Sequence, residues 1–330
     1  MAVNFDVIIP GLLQLPIAEL GEDVVQNRFP ALSHILRFSR RSSSAMFDFE
    51  AMLADSLGLL SSNLPFASGF DDDYTASQSL LCQAVHFKPD MRNAFIVSLH
   101  ESDRTTEQIS RIINDLAHYF KKDFTLSNIN EKLWLMRLKH CQVDIQYPHI
   151  LSVIGRKADP YIQQSRETLE WYKLSNEIQM FMHSHEVNQQ RLQEGLPAIN
   201  SLWCWGGGEV TPLSRTDMRV YCDDFLVNAF LTRSGLMPEN PQGISDRDFG
   251  QDSIYLDLGL LRALKDPRGD DIHCMLENIE NRVLQPLVDG VSAGRLKLRL
   301  RVGHEFDFEL NRLSSLKFWR KPANLKTVIE

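Results

Sequence analysis

The chain has 330 residues, 43% of them hydrophobic and 24% charged, enough apolar material for one large α/β domain or two unequal ones. A net charge of −8 sets the whole molecule against nucleic-acid backbones and anionic lipid, so neither is expected as a partner. The five cysteines, Cys82, Cys141, Cys204, Cys222 and Cys274, are scattered without a CxxC pair, which speaks against a zinc knuckle or a disulfide framework and for a reducing compartment.

Phe5 to Ile9 reads as a short buried strand stopped by Pro10-Gly11. Asp6 interrupts any apolar leader, and no basic segment precedes the run, so neither a signal peptide nor a membrane span is expected and a cytoplasmic location is. Glu19 to Phe38 is helical in parts, and Arg37 to Ser44 reads as a serine-rich turn. Phe47 to Leu60 predicts a helix with Met52, Leu53, Leu57 and Leu60 on its apolar stripe. Asp71-Asp72-Asp73 reads as a solvated loop and helix cap.

From about residue 81 to residue 160 the texture changes. Leu81 to Phe87 and Asn93 to Leu99 predict two strands. A helix opened by Thr105-Thr106-Glu107 follows, with Ile109, Ile112, Ile113 and Leu116 facing inward. Phe124 to Leu126 and Lys132 to Leu138 return to strand. This β-β-α-β-β pattern predicts a small α+β domain, residues 81–160, inserted into a core made of residues 1–80 and 161–330. Tyr161 to Glu194 is the longest helical candidate, its stripe running through Ile162, Leu169, Tyr172, Ile178, Phe181 and Met182. A strand from Ile199 to Trp205, a helix around Asp224 to Ser234, a strand at Ile254 to Leu258 and a helix near Ile272 to Leu287 complete the series.

Arg295 to Arg301 and Glu305 to Leu310 both alternate strictly and predict a hairpin. A three-residue loop, Val302-Gly303-His304, would set Arg301 opposite Glu305, Arg299 opposite Asp307 and Lys297 opposite Glu309. The matched charges predict a salt-bridged solvent face rather than a nucleic-acid patch.

The most informative stretch is Asn176 to Gly208, a helix ending at Gly195 and a short strand emptying into Gly206-Gly207-Gly208. Glycines permit close approach and expose N–H groups to an anion, and Arg191 and Asn200 are polar groups able to converge on that turn. A phosphate cradle and a tight packed turn beside two buried tryptophans both fit this spacing.

The pattern formed by His185, Val187, Asn188, Arg191, Gly195, Asn200, Trp203, Trp205, Gly206 and Gly208 resembles one in archaeal-type cofactor-independent phosphoglycerate mutases. The chain is also similar to a bacterial branch related to those mutases, the RpfE-type regulatory proteins, at Ile8 to Leu12, Leu81 to Phe87 and Phe318 to Pro322. The resemblance implies an alkaline-phosphatase-like α/β core with helices on both faces of a sheet, the inserted domain acting as a cap. It implies a ligand-binding set of Asn188, Arg191, Asn200, Trp203, Trp205, Gly206, Gly207 and Gly208.

Mutases of this kind use a serine nucleophile and two divalent metals, which need several Asp and His ligands because two cations about 4 Å apart repel strongly. The family's metal-binding Asp at the end of the first strand is matched here by Ile9-Pro10-Gly11. No Asp-x-x-x-His follows the strand at Ile254, and Gly303-His304 stands nearest to Asp-His. Ser42, Ser43, Ser44, Ser61, Ser62 and Ser77 offer no activating context, so no catalytic residue is assigned. The expectation is a degenerate, regulatory protein that holds a phosphorylated small molecule or a protein partner, without metal or other cofactor. An active mutase or phosphatase using Asp223, Asp224, Asp257 and Asp266, and an interaction protein without ligand, are the alternatives.

Overall fold

The computed structural model describes residues 2–14, 28–46, 48–61, 63–75, 78–90, 93–99, 103–140, 147–158, 160–161, 168–210, 212–213, 215–241, 243–265 and 272–315. The chain is a mixed α/β protein dividing into two compact units, residues 1–62 with 212–330, and residues 63–211. The second unit is wider than the 81–160 segment marked by sequence texture. It takes in a later strand because that strand pairs with an early one, a long-range contact that local composition does not register. Among the described residues no helix is long and apolar enough to cross a membrane.

The first unit is built on a six-stranded sheet in the order β2-β11-β10-β1-β9-β8. Strands β1 (Val3–Ile8), β8 (Arg219–Cys222), β9 (Ser253–Leu256) and β10 (Leu296–Arg301) run parallel, and β11 (Phe306–Leu310) and β2 (Arg40–Ser43) add an antiparallel edge. One face buries Phe5, Val7, Leu298, Leu300, Phe308 and Tyr255 against helix α1 (Pro30–Phe38) and a helical run over residues 272–292. Every second residue points to that side, which is why these strands alternate.

Three expectations change here. The serine-rich segment after Phe38 is strand β2 rather than a turn: an edge strand needs no apolar side chains to complete a ladder with β11. Helix α2 is shorter than expected, Phe49–Ser56, and leaves Leu60 fully exposed. The hairpin slips by two residues, pairing Arg299 with Glu309 and Leu300 with Phe308, so its loop is longer than three residues. Nor is the whole of its charged face open to solvent. Arg301 and Asp307 are buried, and Arg301 Nε donates to Asp307 Oδ2 at 3.1 Å while Nη1 donates to Met52 O and Asp55 Oδ2, both at 2.8 Å.

In the second unit β3 (Ser79–Asp90), β4 (Asn93–Val97), helix α3 (Asp103–Tyr119), β5 (Phe124–Asn130) and β6 (Leu133–Leu138) form the β-β-α-β-β motif. Ile109, Ile112, Ile113 and Leu116 are all buried beneath α3. The sheet order is β4-β3-β6-β5, with β7 (Ser201–Trp205) pairing antiparallel to β3. Asp71 is buried rather than solvated, because Arg137 pairs with it and Ser79 Oγ donates to Oδ2 at 2.6 Å. The long helix is two, α4 (Leu169–Ser184) and α5 (Glu186–Gln193). His185 breaks it by leaving helical geometry and accepting the Val187 N–H on Nδ1 at 3.2 Å, as an N-cap does. Ile162 of the expected stripe lies outside the described residues.

Candidate functional site

The Asn176–Gly208 segment is a chain of local clamps. Gly195 has φ +69 and closes α5, with Gly195 N donating to Leu192 O at 3.1 Å and Leu196 N to Arg191 O at 2.8 Å. Asn188, buried, donates from Nδ2 to Met182 O at 2.6 Å and Ile199 O at 2.8 Å, while Oδ1 accepts Ile199 N at 2.8 Å. Asn200 does the same for the sheet edge: Oδ1 accepts Phe87 N at 2.7 Å and Nδ2 donates to Phe87 O at 3.0 Å. These amides mimic backbone ladders, so their capacity is spent inside the chain.

The segment's two ends do not converge. Strand β7 runs extended between Asn200 and Gly206, which sets them about 20 Å apart at about 3.3 Å per residue. At the far end Trp203 Nε1 donates to Pro148 O at 2.9 Å and its ring stacks on Tyr147. Trp205 lies edge-on to His149, and its Nε1 is buried without a partner among the described residues. Gly206 turns at φ +69 so that its carbonyl accepts Ala67 N at 2.9 Å, and a Cβ there would stand 3.2 Å from Phe66 Cβ. Tyr74 hydroxyl donates to the carbonyl of Gly208, and Gly207 is buried.

At the near end lies a cationic group. Arg191 is 1% exposed, donates from Nε to Pro197 O at 2.7 Å and from Nη1 to Gln108 Oε1, and pairs with no carboxylate among the described residues. Burial lowers its pKa; the nearby Glu194 raises it and Arg104 lowers it. His86, whose Nδ1 meets Ala198 O at 2.8 Å, is also held below its ordinary pKa, first by burial and further by Lys88 and Arg191. Lys88 is exposed and, like His86, comes from β3; they lie two residues apart and so share a face. Sequence reasoning found Arg191 but not His86 and Lys88, because the signal was the β3–β7 pairing (Val85 opposite Ser201), which only tertiary structure supplies.

The carboxyl ends of the parallel strands in the first unit carry a group of carboxylates. The β8–β9 register aligns Cys222 with Leu256, so Asp223 and Asp257 follow as neighbours. Strand β8 has four residues, too few for periodicity in the sequence to mark. Asp257 accepts Gly259 N at 2.7 Å, and burial raises its pKa, with the charge of Asp223 adding to the rise. Asp224 caps helix α6 (Phe225–Arg233) by accepting Val227 N at 2.9 Å and pairs with Arg262 of helix α7 (Gly259–Lys265). Cys222 is pushed up to about 12 by burial. Asp266 lies outside the described residues.

At the end of β1, Ile9, Pro10 and Leu12 are buried, and a Cβ on Gly11 would come 2.8 Å from Leu264 Cδ1. Among the described residues no three His, Cys, Asp or Glu side chains are grouped to hold a metal. At the end of the first strand Pro10 and its neighbours are buried hydrocarbon, and a guanidinium already neutralises Asp224.

The chain matches no family model and no curated protein. Among solved structures it is similar to the PH0037 protein from Pyrococcus horikoshii, with 13% identity, a TM-score of 0.48, and coverage of 94% of this chain and 85% of that one. It is also similar to the cofactor-independent phosphoglycerate mutase from Thermoplasma acidophilum, with 15% identity, a TM-score of 0.40, and coverage of 94% and 90%. Neither likeness carries the function across to this chain.

Proposed function

We propose that this protein is a regulatory relative of the cofactor-independent phosphoglycerate mutases, of the RpfE-type branch, with an alkaline-phosphatase-like core. It works by binding a phosphorylated small molecule rather than by metal-dependent phosphoryl transfer. The observation that carries the reading is Arg191: a buried guanidinium without a carboxylate partner, beside His86 and Lys88. Burying a cation without a counter-ion is costly, and an arriving dianion offsets that cost by charge-assisted hydrogen bonds. In this reading Arg191 and Lys88 hold the phosphoryl group. Asn188 and Asn200 position the backbone around it, and the Trp205–Gly208 turn anchors the other end of the strand.

The strand ends supply the second support. Asp224 is committed to Arg262 and to a helix N-terminus, and Pro10 stands where a metal-binding carboxylate is wanted. The test is a turnover assay with 3-phosphoglycerate and manganese alongside calorimetric titration of the same ester. Binding without turnover is expected; turnover abolished by a chelator would overturn the proposal.

A further inference from the structure

The face of the first unit's sheet opposite its apolar core carries a second polar assembly, distant in character from any phosphate cradle. A cavity of about 430 Å³ opens there, over Asp6, Asp252, Lys297, Arg299 and Glu309, with Met218 and Ile254 among its walls. Its volume falls in the range of small-molecule sites, about 300–1,000 Å³.

Most of the charges around it are already matched. Arg299 Nε donates to Asp6 Oδ1 at 3.0 Å, Arg299 Nη1 reaches Asp55 Oδ2 at 3.3 Å, and Arg215 Nη2 donates to Asp252 Oδ2 at 2.8 Å. Asn4 N also donates to Asp252 Oδ1 at 2.8 Å, and Ser56 Oγ to Asp6 Oδ2 at 2.6 Å. Two groups stand outside this network. Lys297 and Glu309 make no ion pair with a described residue. The hairpin register explains why they face the same space: Glu309 lies opposite Arg299, which places Lys297 diagonally across from it on the same face.

A free ammonium and a free carboxylate over one cavity, set among matched pairs and apolar walls, define a ligand of complementary form. We propose that this cavity is a binding site for a small zwitterion, of the amino-acid class, whose carboxylate meets Lys297 and whose ammonium meets Glu309. The pre-paired Asp6–Arg299 and Asp252–Arg215 groups hold the floor rigid, which lowers the ordering cost of binding. The apolar walls take the ligand's side chain. A singly charged compound would leave one of the two groups desolvated and unmatched.

The experiment is calorimetric titration of the full chain with each common amino acid, and with the matched desamino acid and amine of any that binds. Lys297→Met and Glu309→Gln are titrated in parallel; both sites lie on the sheet surface and leave the core intact. At least one amino acid is expected to bind, with about tenfold weaker affinity in each variant and for each singly charged analogue. No binding by any amino acid up to about 10 mM, or binding unchanged in both variants, overturns the proposal. Titration of the same variants with 3-phosphoglycerate keeps this test separate from the Arg191 reading, since neither substitution touches Arg191, His86 or Lys88.

Discussion

Glu280 is buried in a π-helical turn, residues 280–284, and caps a helix distant in sequence. Its carboxylate accepts Ala31 N at 2.5 Å and Leu32 N at 3.0 Å, the donors α1 cannot satisfy because Phe29 supplies no side-chain cap. Burial nonetheless raises its pKa above the ordinary 4.5, outweighing the two hydrogen bonds. A carboxyl raised in the folded state contributes fully below its unfolded value, and that contribution is lost as pH rises through the folded value. Urea unfolding from pH 4 to 7 is therefore expected to show a smaller fall in stability for Glu280→Gln than for the parent. Glu280→Ala, which orphans two buried N–H groups, is expected to cost about 1–3 kcal/mol at neutral pH. Asp71 runs the other way: Arg137 and Ser79 hold its pKa down despite burial, so its stabilisation is present above the unfolded value and lost as pH falls. Asp71→Asn is expected to flatten the acid limb of the stability curve between about pH 4 and pH 2.

Among the elements, the hairpin β10–β11 teaches most. Alternation in the sequence located both strands and which residues share a face, but two registers two residues apart place the same side chains on the same face, so pattern alone did not choose between them. In the fold α2 covers one end of the hairpin, its Met52 carbonyl, Asp55 and Ser56 receiving Arg301. That covering helix also turns part of an expected solvent face into a buried ion network. Arg301→Ala is expected to cost about 3–5 kcal/mol in denaturant unfolding, since it strands Asp307. Arg301→Met combined with Asp307→Leu is expected to recover much of that loss. The same lesson holds for the glycine motif. Its residues were legible as a specific pattern, and their clamping roles follow from types that cap, staple and turn. The separation of Arg191 from Gly206 by a whole strand was not legible, because spacing along a chain says nothing of direction until the strand is placed. Gly206→Ala is expected to destabilise more than Gly195→Ala, about 1 kcal/mol, because both need positive φ but only Gly206 has Phe66 at 3.2 Å. Thermal unfolding of the two variants checks the order.

For the whole molecule, the acidic net charge and the local cationic group answer different questions. A charge of −8 slows the approach of any anion, while Arg191, His86 and Lys88 act at contact distance, where screening is weak. The β-β-α-β-β motif and the mixed α/β class could be read from periodicity, because Ile109, Ile112, Ile113 and Leu116 repeat at helical spacing beside alternating strands. The division of the chain could not, since it rests on β3 finding β7 across more than a hundred residues. The most direct measurement is calorimetric titration of the full chain with 3-phosphoglycerate in the presence of EDTA, for the parent and for Lys88→Glu. Saturable binding in the parent, weakened about tenfold by the exposed charge reversal, is the predicted result. No heat of binding in the parent, or equal affinity in both proteins, would contradict it.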